Sequence, residues 1–139
     1  MTPADSPERP GVVGPPTAGS PVVSRVADVD GIPMSALVAE VPRPRAVIVA
    51  LHGGAVTSRY FDVPDRPRLS LLRTGAALGF TVIALDRPGY GRSAPYADRM
   101  ATAGQRVGLT YAAVERLLAA RPRGAGLFLL GHSQGCVPG

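Results

Sequence analysis

The 139-residue chain has no lysine, asparagine or tryptophan, and it has a single cysteine. A lone Cys136 excludes an internal disulfide and argues against a cysteine-built metal centre. Without lysine, all 15 basic residues are arginine, and the net charge is +5. The accompanying richness in Ala, Gly, Pro and Val is the bias of GC-rich coding DNA, so the arginine excess says little about partners. The arginines are scattered, with Arg-Pro-Arg triplets at 43–45, 66–68 and 121–123 standing at apparent joints between elements. Surfaces that track phosphates cluster their basic residues on one face or helix, so solvated loop charge is expected here, and no nucleic-acid partner. Long apolar runs are also missing. None approaches the ~18 residues of a membrane span, and the N-terminus lacks the apolar segment of a signal peptide. A cytoplasmic, soluble protein of one modest domain is the expectation.

Residues 1–21 are rich in Pro, Gly, Ser and Thr, with little to bury, which predicts a disordered tail. Residues 22–139 carry the folded portion. "VVSRVADVDG" alternates and stops at Asp30-Gly31, and "IPMSALVAEV" alternates again, so an antiparallel hairpin is predicted. Ala46 to Leu51 is continuously apolar, as in a strand buried on both faces of a parallel sheet. Leu69, Leu72 and Ala76 then recur at helical spacing, and "FTVIALD" reads as a second buried strand. From about Asp98 to Arg121, Met100, Ala103, Val107, Tyr111, Val114 and Leu118 form one stripe of an amphipathic helix. "GLFLLG" reads as a third buried strand. The order is a hairpin followed by β-α-β-α-β, which implies an α/β fold, mainly a parallel sheet with flanking helices.

In such sheets, ligands bind at the carboxyl ends of the strands, and three motifs begin where these strands stop. The last is Gly131-His132-Ser133-Gln134-Gly135. A serine on a sharp strand-to-helix turn has its hydroxyl thrust out of the sheet, and the flanking glycines avoid clashes with strand and helix. The Gln134 amide would face a developing oxyanion. An ordinary glycine corner with an incidental serine is the competing reading, disfavoured by the strand in front. The first motif, His52-Gly53-Gly54-Ala55, offers backbone N–H groups as the other half of an oxyanion hole, Gly54 first and Ala55 second. His52 is either the catalytic base or, as favoured, a brace for the loop. The middle motif, Asp86 to Ser93, is a tight loop. Its Asp86 is either a catalytic acid or, more commonly for such positions, a carboxylate closing a turn onto backbone N–H groups. The loop lacks the spacing and lysine of a phosphate cradle, so no cofactor is implied.

Taken together, and in this order, the hairpin, the His-Gly-Gly loop, the Asp-Arg-Pro-Gly-Tyr-Gly-Arg-Ser loop and the Gly-His-Ser-Gln-Gly turn resemble the α/β-hydrolase superfamily from about Val22 to Gly135. The resemblance implies a serine hydrolase acting on a small acyl substrate (an ester, thioester or related bond), with Ser133 as nucleophile. Serine instead of aspartate at position 133 disfavours the dehalogenase and epoxide-hydrolase branches. Family chain order places an acid and then a histidine after the nucleophile. Only Gln134 to Gly139 follow Ser133, and none is an acid or a histidine. The chain therefore reads as the N-terminal portion of such a domain, truncated, incompetent alone, and exposing "LFLLG" as an edge open to self-association. The alternatives are a non-catalytic remnant, a fragment that acts with a separate C-terminal piece, or a binding module. Tyr90, Tyr96 and Arg59-Tyr60-Phe61 could line an acyl pocket, although loop packing is the favoured reading.

Overall fold

The structure, a computed structural model, describes residues 21–132. The tail expected over 1–21 therefore falls almost wholly outside the described residues, as do Ser133, Gln134 and Gly135. Seven elements follow in chain order: β1 (Val22–Val29), β2 (Ile32–Ala39), β3 (Val47–Leu51), α1 (Leu71–Ala77), β4 (Thr81–Leu85), α2 (Ala103–Leu117) and β5 (Leu127–Gly131). They build one sheet in the order β1-β2-β4-β3-β5. β1 runs antiparallel to β2 and β2 antiparallel to β4, whereas β3 runs parallel to both β4 and β5. This is the expected α/β sheet with its leading hairpin.

The hairpin closes through Asp30 and Gly31, at φ 50° and 85°. Two consecutive left-handed residues give the turn a twist that matches the flanking strands, which is why Asp-Gly is a strong hairpin signal. β3 and β4 are apolar at every position but one because both faces of the sheet are covered. Val47, Val49, Leu51, Ile83 and Leu85 join one core with Leu109, Ala113, Val114 and Leu118 of the α2 side. Ala50, Val82 and Ala84 point the other way, onto Leu72 and Ala76 of α1. Period-2 alternation is thus present, but both phases are apolar.

Three expectations are corrected. Leu69 is not part of the first helix: it sits exposed in a 3₁₀ turn, Pro67–Leu69. The helix itself begins only after Ser70, whose hydroxyl caps it by accepting the Arg73 N–H at 3.2 Å. The second helix begins at Ala103 instead of about Asp98, because residues Gly91–Arg99, with Pro95 among them, form 3₁₀ turns. Thr102 and Gln105 then form a reciprocal capping box at 3.1 and 2.9 Å. The stripe is also divided. Met100, Val114 and Leu118 do reach the core, joined by Leu109 and Ala113, while Ala103 is exposed and Tyr111 is 59% exposed.

The third correction concerns β5. Among the described residues it pairs with β3 alone, and all five of its residues are exposed. It is an exposed edge strand, as expected of "LFLLG" in a partial domain, and not the two-face-buried strand that its apolar run by itself suggests. An apolar groove of about 480 Å³ lies beside it, lined by Leu127 and Leu129 and by Val107, Tyr111 and Val114. Of the expected stripe, Val107 and Tyr111 border this groove, Met100 and Leu118 are buried in the core, and Val114 touches both. The loop leading into β5 is well tied. Arg121 pairs with Glu40, and Arg123 makes a two-pronged contact with Glu115 at 2.9 and 3.1 Å. These two arginines are thus not simply solvated, as the scattered triplets suggested. Gly124, at φ 57°, packs so closely on the Pro44 and Arg45 carbonyls that any Cβ would collide with backbone.

Candidate active site

The parallel register sets Leu51 of β3 opposite Gly131 of β5, and the next residue, His132, donates its N–H to the Leu51 carbonyl at 3.0 Å. The loop starting at His52 and the turn starting at Gly131 therefore leave the sheet side by side, at the same end. The register also sets Leu85 of β4 beside Leu51, so the Asp86 loop emerges there too. All three motifs meet at the carboxyl edge of the sheet.

His52 is fully buried. Its Nδ1 lies 2.7 Å from the Gly53 carbonyl, and its Nε2 accepts the Arg87 N–H at 2.9 Å. Because Nε2 accepts, the proton sits on Nδ1, and the ring is the neutral tautomer. Both nitrogens are engaged with backbone, and the ring also meets Tyr90 edge-on at 4.7 Å. Such an imidazole joins the β3 loop to the β4 loop and has no nitrogen left to take a proton from a nucleophile. Burial holds its pKa below the ordinary 6.5, outweighing the upward pull of the Gly53 carbonyl and the Asp86 carboxylate. A base whose folded pKa is lowered binds fewer protons than the unfolded chain, so its contribution is intact above 6.5 and is lost as pH falls from there. Stability should therefore drop between pH 7 and 5. Replacing His52→Gln should flatten that slope while costing about 2–4 kcal/mol at neutral pH, from the disturbed packing and the strained or lost acceptor for Arg87 N–H. Thermal melts of both proteins across the range would check it; an unchanged slope would remove His52 as its source.

Asp86 is likewise buried and engaged with its surroundings. Oδ1 accepts the Ser58 N–H at 2.8 Å and Oδ2 accepts the Ser35 hydroxyl at 2.7 Å. Ser35 Oγ in turn accepts the Arg92 N–H at 3.0 Å. A Cβ on Gly91 would strike both Ser35 Oγ and Asp86, so the second motif's glycine makes room for this carboxylate. Asp86 thereby closes three segments onto each other: β2, the 3₁₀ turn Ser58–Phe61 and the loop after β4.

The β3 loop is where backbone donors are free. Gly53 is buried and Gly54 half-buried, while Ala55 is exposed with φ 62°. A left-handed alanine is uncommon and costs on the order of 1 kcal/mol, a strain that concentrates at ligand-facing turns. The N–H groups of Gly54 and Ala55 meet no acceptor among the described residues. On the neighbouring strand end, the His132 ring stacks on Tyr60 at 4.6 Å, with Tyr60 Oη 3.2 Å from His132 Nε2. Phe61 is buried in the α1-side core and meets Tyr60 edge-on at 5.4 Å. The Arg59-Tyr60-Phe61 stretch thus divides: Phe61 packs, and Tyr60 reaches His132, the residue before Ser133. No spacing rule relates residues 60 and 132, so sequence reasoning missed the pair. Tyr90 braces His52, and Tyr96 packs against the α2-side core.

The strand ends that lead into the three motifs lie side by side at one edge of the sheet, where ligands bind in α/β sheets of this kind. The chain belongs to the alpha/beta hydrolase family, whose model matches residues 47–139. No curated protein matches the sequence. Among solved structures, it is similar to a predicted CIB-like hydrolase from Thermoplasma acidophilum, at TM-score 0.64 and 22% identity over 84% of this chain and 53% of that one. An epoxide hydrolase from an endophytic Streptomyces matches at TM-score 0.59 and 24% identity, over 82% of this chain and 30% of its own. An epoxide hydrolase from Vigna radiata matches at 0.56 and 22%, over 84% and 32%. The chain spans about half the length of the first of these and about a third of the others. At such identities the likeness is one of fold.

Proposed function

We propose that the chain is the nucleophile-bearing part of a serine hydrolase that cleaves ester, thioester or similar acyl bonds in small molecules. The observation that carries this reading is the pairing of Leu51 with Gly131, which sets the His52–Ala55 loop beside the turn that leads into Ser133. In the reaction, Ser133 Oγ attacks the acyl carbon and the carbonyl oxygen becomes an oxyanion. Collapse of that intermediate expels the alcohol or thiol and leaves an acyl-serine, which water then hydrolyses to the free acid. The Gln134 amide and that of Gly54 or Ala55 would donate to the oxyanion. Support for the second donor comes from the strained Ala55 and the unengaged N–H groups around it. Fixed donors of this kind act because they need no reorientation as charge develops.

The proton on Ser133 needs a base. His52 has both nitrogens engaged, and His132 is the only other histidine in the sequence. His132 Nε2 lies 3.2 Å from Tyr60 Oη, so neither histidine offers a free Nε2, and in this reading the base and its orienting acid come from polypeptide outside these 139 residues. Sequencing the DNA that follows tests this directly. The expected finding is a strand-and-helix pattern carrying an Asp or Glu and then a late His. A fluorophosphonate should then label the completed protein on the peptide holding Ser133. Absence of such a pattern in every frame, or a label elsewhere, would sink the proposal.

A further inference from the structure

A second recess, of about 350 Å³, opens over the β1–β2 hairpin at the same end of the sheet. It is lined by the hairpin, including Ser24 and Leu37, and by the segments Thr57-Ser58-Arg59 and Gly91-Arg92. Arg59 and Arg92 are both exposed, and neither forms an ion pair or a side-chain hydrogen bond among the described residues. Arg25 also borders the recess, but strand alternation sends its side chain to the face opposite Ser24. The one acid present, Asp86, has both oxygens filled from within by Ser58 N–H and the Ser35 hydroxyl. Two uncommitted guanidiniums and one engaged carboxylate therefore border a recess that also offers the Ser24 hydroxyl and an apolar leucine.

From this we infer that the recess is a binding site for the carboxylate or phosphate of a small organic molecule, held between Arg59 and Arg92. Guanidinium groups present paired N–H donors in a plane, which matches the oxygens of either anion. A concave wall between two like charges focuses the field and raises the local anion concentration above that at a flat surface. The two arginines are 33 residues apart in sequence, and Asp86 is what brings them together. It holds Ser58 directly, and through Ser35 it holds the Arg92 backbone. The inference needs no role for Ser133 and stands apart from the acyl-transfer reading.

Calorimetric titration of the full chain with inorganic phosphate and, separately, with acetate tests it, in buffers matched for ionic strength with sodium chloride. Saturable binding of either anion is expected, and the tighter of the two names the ligand group. Arg59→Gln and Arg92→Gln should each weaken it about tenfold, the usual factor for one charge-assisted contact. Arg68→Gln, an exposed arginine outside the recess, should leave it unchanged. Because neither wall arginine makes a side-chain bond, both variants should keep the circular dichroism and melting temperature of the parent. Heat that chloride reproduces at equal ionic strength would overturn the site. So would equal affinities in the Arg59→Gln, Arg92→Gln and Arg68→Gln proteins.

Discussion

Ser133→Ala should lower kcat for a short activated ester by about 10⁴-fold or more once the chain is joined to polypeptide that supplies the acid and histidine, with KM little changed. Nucleophile and base act as a unit, so losing either removes nearly the whole covalent route. What survives is the effect of the oxyanion donors, roughly 10²–10³-fold per donor in well-studied hydrolases. The same substitution in the 139-residue chain alone should change almost nothing if, as proposed, the base that activates the hydroxyl comes from outside these residues. The two measurements together separate the claims. Rapid turnover by the 139-residue chain, abolished by Ser133→Ala, would show that a base is already present and would refute the dependence on further polypeptide. Slow hydrolysis by the completed protein that persists in Ser133→Ala would refute the nucleophile itself.

Much of the fold was legible because its signals are local. Asp30-Gly31 dictates the hairpin, and the unbroken apolar runs of β3 and β4 follow from a sheet covered on both sides. The helix starts were misread for an equally local reason. Ser70 and the Thr102–Gln105 box are capping signals present in the sequence, but the apolar spacing upstream, at Leu69 and Met100, masked them. Periodicity finds an apolar stripe without saying what faces it. The stripe is real but divided: Met100, Val114 and Leu118 reach the core, while Val107 and Tyr111 border the β5 groove. At the site, the positions of the three loops were readable because each strand announces its own end. The engagement of His52 and Asp86 was not, since it depends on Arg87, Ser58 and Ser35, which lie 28 to 51 residues away. The same holds for Tyr60 on His132, and for Arg59 and Arg92 bordering one recess: long-range neighbours that scattered positions conceal.

The edge made by β5 has a large consequence for the 139-residue chain studied by itself. Leu127, Phe128, Leu129 and Leu130 are 37 to 61% exposed, and among the described residues one side of the strand's backbone has no partner strand. Covering each of these side chains would recover on the order of 1 kcal/mol. A symmetric pair of edges would therefore gain about 8 kcal/mol before any strand hydrogen bonds are counted. That is of the same order as the free energy lost when two molecules become one, about 4–15 kcal/mol. Added backbone pairing then tips the balance towards association, and a flat apolar edge can recruit further copies. Purified alone, the chain should accordingly sediment as concentration-dependent oligomers. Phe128→Lys with Leu129→Lys should shift it towards monomer, since a charged edge cannot be buried against its own copy without strong repulsion and desolvation. Both side chains are mostly solvent-exposed already, so the far-ultraviolet circular dichroism should be retained. A parent chain that stays monomeric up to high concentration and melts in one sharp transition would show that this edge is covered from within.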